Sequence, residues 1–144
     1  MNSSPPRIVN CFPEVQKVTA GQSLGIRLNS LGIKAFFTVP GDFTLALLDE
    51  LLKIKELKMI GCCNELNAGY AADGYARATG LLGVVVVTYC VGSLSLINAV
   101  AGSYSDDIPL LVISGAPNTN DSKSHHIVHH VSWYNICLDD FLTG

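Results

Sequence analysis

The stretch VVVVTYCVGSLSLINAV, residues 84–100, carries two different periodicities. Its first four residues are β-branched valines, which favour a strand, whereas from Leu94 onward the apolar residues recur at helical spacing. No charged residue occurs from Ala78 to Ser105, and such a stretch is long enough to cross a bilayer. Because the period changes inside it, the stretch predicts a buried strand followed by a helix rather than a single membrane span.

The same alternation of strand and helix patterns extends to both sides of this stretch. It predicts strands over 34–39, 57–62, 84–88 and 109–114, and helices over 19–30, 43–52, 64–79 and 94–104. Nearly all-apolar strands that alternate with short helices are typical of right-handed βαβ units. We therefore expect an α/β fold, a three-layer sandwich in which a parallel sheet has helices on both faces. This domain is expected to cover 18–144, after an irregular segment at 1–17.

The composition is poor in charge. Charged residues make up 15% of the 144 residues, against roughly 25% in an average soluble protein. Part of the surface is therefore expected to contact a partner rather than water. The net charge is −3, and the 9 Lys and Arg residues form no basic run, so nucleic acid and anionic membranes are poor partners. The high apolar content excludes a disordered chain.

The cysteines indicate a reducing compartment. They are odd in number, contain no C-x-x-C pair and lie mostly among apolar neighbours, which favours free thiols. The first dozen residues lack the apolar stretch of a signal peptide. We therefore expect a cytoplasmic protein. The five cysteines are Cys11, Cys62, Cys63, Cys90 and Cys137.

The predicted strand ends locate a candidate active site. In open α/β sheets, ligands bind beyond the carboxyl ends of the strands. Asp42, Glu65 and up to four histidines would lie along that edge, a concentration of titratable groups that is typical of active sites. Neither G-x-G-x-x-G after the first strand nor G-x-x-x-x-G-K-[ST] nor G-x-S-x-G occurs, which argues against the common nucleotide-binding and serine-hydrolase motifs. The segments at this edge are 40–42, 64–65, 89–93 and 115–130.

Glu65 is the most informative single residue. It stands at the predicted first turn of a helix, directly after an apolar strand, and small residues follow it. Loss of hydration in such close packing favours the protonated carboxyl, so Glu65 could carry a proton near neutral pH. The alternative is an ordinary first-turn glutamate that is stabilised by the helix dipole.

The histidines support a separate metal hypothesis. His125 and His129, and likewise His126 and His130, are spaced four residues apart, and on a helix each pair could bind Zn²⁺. No carboxylate lies between the pairs, and no cysteine is close in sequence. A polar surface turn is the alternative interpretation.

Several motifs together resemble the amino-terminal domain of the pyruvate decarboxylase family, the thiamine-diphosphate-dependent 2-oxo acid decarboxylases. The resemblance extends over about residues 18–130, in order and at natural spacing. It is carried by VPGDF (39–43), CNELNAGYAADGYAR (63–77), TYCVGSLS (88–95), AGSY (101–104), ISGAPN (113–118) and His129-His130. After His130 the chain departs from the family, which usually has a small residue and a glycine there.

The resemblance implies roles for particular residues. Glu65 falls on the glutamate that hydrogen-bonds the aminopyrimidine ring of thiamine diphosphate and promotes its imino tautomer. Asp42 and the His129-His130 pair match proton-relay groups near the substrate, and Asp42 and His130 would contact it. Pro40, Gly41 and Val91 match positions that line the pyrimidine site, although turn geometry or core packing alone would also explain each of them.

The resemblance also implies what the chain lacks. Family members are several times longer, and a second cofactor domain holds Mg²⁺ and the diphosphate through a Gly-Asp-Gly…Asn loop that does not occur here. Their active sites form between subunits of a homodimer or homotetramer and act on a small 2-oxo acid. We therefore expect an enzyme domain that is inactive alone; the alternatives are a truncated module that binds full-length subunits without catalysing, and a small zinc-binding α/β protein.

Overall fold

The computed structural model describes residues 17–123, in which helices and strands alternate. The strands are short, and the two longest helices follow the second and third strands. In chain order the elements are α1 (Ala20–Ser30), β1 (Ala35–Thr38), α2 (Leu45–Leu51), β2 (Lys58–Gly61), α3 (Glu65–Thr79), β3 (Gly83–Val87), α4 (Val91–Ser105), β4 (Leu110–Ser114) and α5 (Thr119–Lys123).

The strands form one parallel sheet in the order β2-β1-β3-β4. β3 is completely buried, as its unbroken run of apolar residues predicts. Phe36, Val84 and Val86 pack with α1 and α2 in one cluster, and Val85 and Val87 pack with α3 and α4 in another. The expected α/β sandwich with helices on both faces of a parallel sheet is confirmed.

Two element boundaries differ from the sequence prediction by more than one residue, for local reasons. α4 begins at Val91 rather than at residue 94, because the backbone turns at Cys90 and leaves only 88–90 between β3 and the helix. α2 begins at Leu45 rather than at residue 43, because Thr44 closes a turn with Gly41. The short helix α5 has no counterpart in the prediction.

α3 and α4 run side by side in the same direction and approach very closely. A Cβ atom at Gly69 would lie 2.5 Å from Leu96 Cδ1 and 2.6 Å from Ala99 Cβ. Ala68 and Ala72 of α3 are fully buried beside this contact. The small side chains of α3 therefore let the two helix backbones come together.

The far ends of the same helices are joined by polar contacts. Asp73 accepts hydrogen bonds from Arg77 Nε at 2.6 Å and from Ser103 Oγ at 2.7 Å. Arg77 Nη2 also donates to Asp106 Oδ2 at 2.7 Å. We call these four residues the Asp73 cluster. It links two turns of α3 to the C-terminal end of α4.

The contact at Gly69 predicts opposite effects for two glycines of α3. Gly69→Ala should lower the free energy of unfolding by about 1–3 kcal/mol, because the methyl group would meet the Cβ of Ala99 and force the helices apart. Gly74→Ala should raise it by about 0.5–1 kcal/mol, since nothing lies within 4 Å of its Cβ position and alanine is the better helix former. Urea denaturation of both variants measures the difference; equal effects would contradict the close packing.

The Asp73 cluster predicts an acid-sensitive contribution to stability. Hydrogen bonds from Arg77, and next from Ser103, hold the pKa of Asp73 below its ordinary value. A carboxylate whose pKa is lowered by folding stabilises the protein above the unfolded-state pKa of about 3.9, and this contribution is lost as the pH falls below that value. Between about pH 5 and pH 2.5, the free energy of unfolding should therefore fall less for Asp73→Asn than for the original chain. Asp49→Asn, at an exposed position on α2, is the control and should keep the original acid dependence.

Large apolar side chains remain exposed on the outer side of α3 and α4. Tyr104 is 85% exposed and Tyr70 is 53% exposed, and Leu94 and Ile97 are also exposed. Within 17–123, β2 and β4 each pair on one side only, which leaves a free sheet edge at either end. No helix in this part of the chain is sufficiently long and apolar to cross a membrane.

These surfaces predict self-association of the 144-residue chain. Apolar patches and open sheet edges favour contacts between copies, so the mass from static light scattering should rise with concentration. Replacing both Leu94 and Tyr104 with serine should weaken this association, because it removes two exposed apolar groups from one face. A constant monomer mass at every concentration would contradict the prediction.

Candidate functional site

The strand order creates a crevice between β1 and β3. The chain leaves β1 toward β2 on one side, whereas β3, on the other side of β1, continues to β4. Connections that leave adjacent strands in opposite directions open a crevice at the carboxyl ends of those strands, where ligands of open α/β sheets bind. Pro40, Gly41 and Asp42 follow β1, and Thr88 to Val91 follow β3. Five of the seven predicted site residues lie in the described segments at this edge of the sheet.

The turn after β1 is held by the buried side chain of Thr44. Its hydroxyl donates to Gly41 O at 2.9 Å, and the Gly41 N–H donates back to Thr44 Oγ1 at 3.3 Å. The Thr44 N–H also donates to Gly41 O at 2.8 Å. Asp42 lies inside this closed turn with its side chain exposed, so the turn presents a carboxylate to the solvent at the edge of the crevice.

The two sides of the crevice meet at Thr88. A Cβ atom at Gly41 would collide with the Thr88 side chain, and a Cβ atom at Gly92 would lie 3.1 Å from Thr88 Cγ2. The turn after β1 and the start of α4 therefore both pack against one residue. The sequence assigns Thr88 to a strand rather than to the site. The sequence feature that could have identified Thr88 as a site residue is its position as the first polar residue after an unbroken run of valines.

Cys90 makes the sharp turn from β3 into α4. Its φ of 53° and ψ of −88° are uncommon for a residue other than glycine, and such a conformation costs on the order of 1–3 kcal/mol. This conformation lets the chain pass from the end of β3 into the first turn of α4, at Val91 and Gly92, through only three residues. Backbone strain of this kind is frequent at functional sites.

Glu65 lies at the first turn of α3, as the sequence predicts. Asn64 caps the helix by accepting a hydrogen bond from the Asn67 N–H at 2.7 Å. The Glu65 side chain is half-buried and reaches the start of α4, because a Cβ atom at Gly92 would lie 3.2 Å from Glu65 Oε1. Because Gly92 has no side chain, the start of α4 can pack directly beside this carboxyl.

Aromatic packing closes the crevice on the β4 side. The rings of Phe43 and Tyr89 meet edge to face with their centroids 5.4 Å apart. A Cβ atom at Gly115 would lie 2.7 Å from both Phe43 Cβ and Phe43 O. Because Gly115 has no side chain, the turn after β4 can press against the turn after β1. The loops after β1, β3 and β4 therefore pack together.

Further predicted site residues lie outside the described residues. His129 and His130 are among them, and so are His125 and His126 of the zinc hypothesis. Within 17–123, no group of three or more histidine, cysteine or acidic residues is arranged to hold a metal ion.

The described segment contains three cysteines. Cys62, Cys63 and Cys90 form no disulfide in this part of the chain. Burial raises the pKa of the Cys62 thiol, which keeps it protonated and unreactive.

Comparisons with known proteins identify the family of this chain. Residues 18–135 match the family described as "Thiamine pyrophosphate enzyme, N-terminal TPP binding domain". Pyruvate decarboxylase 1 of Pisum sativum is 49% identical over 139 residues, which are 96% of this chain and 23% of that protein. Pyruvate decarboxylase 2 of Nicotiana tabacum is 56% identical over 123 residues, 85% of this chain and 19% of that protein. Pyruvate decarboxylase 2 of Arabidopsis thaliana is 54% identical over the same length, with the same coverage of both chains.

The extent of these matches defines what the chain contains. It spans about a fifth of the length of the curated relatives it matches. The family match covers most of the chain, including every strand of the sheet and the whole crevice. The chain therefore belongs to the family of thiamine pyrophosphate enzymes, as an N-terminal TPP-binding domain.

Proposed function

We propose that this domain binds the aminopyrimidine ring of thiamine diphosphate in an enzyme that decarboxylates a 2-oxo acid, converting pyruvate into acetaldehyde and carbon dioxide. The observation that carries the proposal is the position of Glu65, a half-buried carboxyl at the β1–β3 crevice with a glycine opposite it. Identity of about 50% to three plant pyruvate decarboxylases supports the substrate assignment.

The residues at the crevice fit a flat, partly apolar ring. Side chains at Gly41 or Gly92 would meet Thr88 or Glu65, so glycine at these positions lets the walls of the crevice pack closely beside the carboxyl group. Pro40 and Val91 are exposed at the same edge and offer apolar surface. We assign Pro40, Gly41 and Val91 to the lining of the crevice. Glu65 supplies the hydrogen-bonding group that fixes the orientation of the ring.

Glu65 is the proton-carrying residue of the proposal. When bound, thiamine diphosphate supplies the electron sink that decarboxylation requires. The task of Glu65 is to hold a proton on a carboxyl oxygen and share it with a ring nitrogen. A carboxyl group suits this task because it can donate and accept a proton at the same atom.

Asp42 and the two histidines are assigned to proton transfer near the substrate. The closed turn at Gly41 and Thr44 presents the Asp42 carboxylate at the edge of the crevice. From there it would contact the substrate together with His130, and His129 would complete the relay. These roles rest on the motifs that the chain shares with the family.

The proposal includes partners that complete the site. Mg²⁺ and the diphosphate would be held by a second cofactor domain, because the Gly-Asp-Gly…Asn loop does not occur in this sequence. The active unit is then a homodimer or homotetramer in the cytoplasm. The exposed apolar groups of α3 and α4 support an assembly in which other domains cover this one.

Replacing Glu65 tests the proposal in a chimera. Residues 18–135 replace the aligned segment of the Pisum sativum enzyme, and acetaldehyde release from pyruvate is followed with thiamine diphosphate and Mg²⁺ present. Glu65→Gln should lower kcat by about 10²–10⁴-fold, because an amide keeps the shape and a hydrogen bond but cannot release a proton. Thermal unfolding checks that the variant remains folded.

Glu56→Gln is the matched control, since Glu56 is exposed in the turn before β2; it should leave kcat unchanged. Near-normal activity of Glu65→Gln would refute the role of Glu65. A folded chimera that assembles but forms no acetaldehyde, where the intact Pisum sativum enzyme does, would instead favour a non-catalytic module.

A further inference from the structure

The contacts between α3 and α4 occur in the same order along both helices. Glu65 meets Gly92 at the crevice, and Gly69 next packs against Leu96 and Ala99. Further along, Asp73 binds Ser103, and Arg77 reaches Asp106. The two helices are thus parallel, with their first turns at the crevice and the Asp73 cluster at the opposite end.

Two parts of this interface differ in how strongly they resist the sliding of one helix along the other. Gly69, Ala68 and Ala72 give α3 a shallow surface, and shallow surfaces interlock less than ridges of large side chains do. The Asp73 cluster is directional instead. Two of its hydrogen bonds cross between the helices, from Ser103 Oγ to Asp73 Oδ2 and from Arg77 Nη2 to Asp106 Oδ2, each at 2.7 Å. The paired contact of Arg77 with both carboxylate oxygens of Asp73 lies within α3 and holds the Arg77 side chain in place.

Ser103 is the inward-facing member of the cluster. It is 2% exposed, and its hydroxyl donates to Asp73 Oδ2. A buried hydroxyl requires its hydrogen bond, so a lengthwise slide of α3 against α4 would break a contact that water cannot easily replace. The Asp73 side chain is itself only 15% exposed.

We infer that the Asp73 cluster sets the lengthwise position of α3 against α4 and thereby places the Glu65 carboxyl beside Gly92. Asp73 lies two turns from Glu65, about 12 Å along a helix axis. A helix resists compression, so a shift at Asp73 is carried to Glu65 with little loss. The members of the cluster are positioning residues, and their effect on catalysis rests on the proposed function.

Hydrogen exchange in the 144-residue chain tests the mechanical part without any cofactor. Ser103→Ala should speed amide exchange in the first two turns of α3 about 5-fold, because these turns lose their fixed position on α4. Ser105→Ala, at an exposed position on the same helix, is the matched control and should change nothing there. Amides of the sheet and of α1 should exchange as before.

Two results would overturn the inference. One is unchanged exchange at 65–72 in a folded Ser103→Ala variant. The other is faster exchange of equal size throughout the chain, which would indicate a general loss of stability. If Ser103→Ala fails to fold, exchange at 65–72 in Asp106→Ala decides the matter, because this variant removes the outer contact with Arg77 and leaves Asp73 and Ser103 in place. Faster exchange there supports the inference, and unchanged exchange overturns it.

Kinetics in the chimera test the effect on catalysis. Ser103→Ala should lower kcat about 10-fold, since small displacements of a reacting group are costly, and should change KM by less than about 2-fold because the cluster does not touch the crevice. A folded variant with unchanged kcat would refute the positioning role and leave the proposed function intact. An inactive chimera with no substitution would refute the proposed function, and hydrogen exchange would still decide the mechanical part.

Discussion

The close approach of α3 and α4 is the contact on which the arrangement of the site depends. With no side chain at Gly69, the Leu96 and Ala99 side chains can lie against the α3 backbone. Both helices then cover the same face of the sheet, over Val85 and Val87. Their first turns consequently meet above the β3 end, and Glu65 reaches Gly92. A larger side chain at Gly69 would force the two helices apart and would move the Glu65 carboxyl away from Gly92.

The chain order of the strands explains why the site lies between β1 and β3. β1 is made before β2, yet it lies between β2 and β3 in the sheet. Right-handed crossovers that leave in opposite directions place α2 on one face and α3 and α4 on the other. The turn after β1 is therefore free to fold over the strand ends, where Gly41 packs on Thr88. The crevice results from topology, and glycines let its two walls come together.

Much of this arrangement can be predicted from sequence because it depends on local pattern. The valine run of β3 is buried on both faces, and Asn64, a residue type that favours helix N-caps, caps α3 and fixes the place of Glu65. The start of α4 could not be predicted, because a positive φ at Cys90 has no signal in residue type. The hydrogen bond from Ser103 to Asp73 could not be predicted either, since it depends on the relative position of two helices. The hydrophobic pattern of the sequence locates the helices and strands, whereas the contacts between them can be read only from the packed structure.

The low charge content acquires a structural explanation. α4 has no charged residue between its first and last positions, and in α3 the charges that follow Glu65 are Asp73 and Arg77, which bind each other. Apart from Glu65, the charged residues of these two helices are thus paired in the Asp73 cluster. Arg77 is held by Asp73 and Asp106 at the opposite end of α3 from Glu65. The one cation of this helix therefore lies away from the crevice, about three turns along the helix axis.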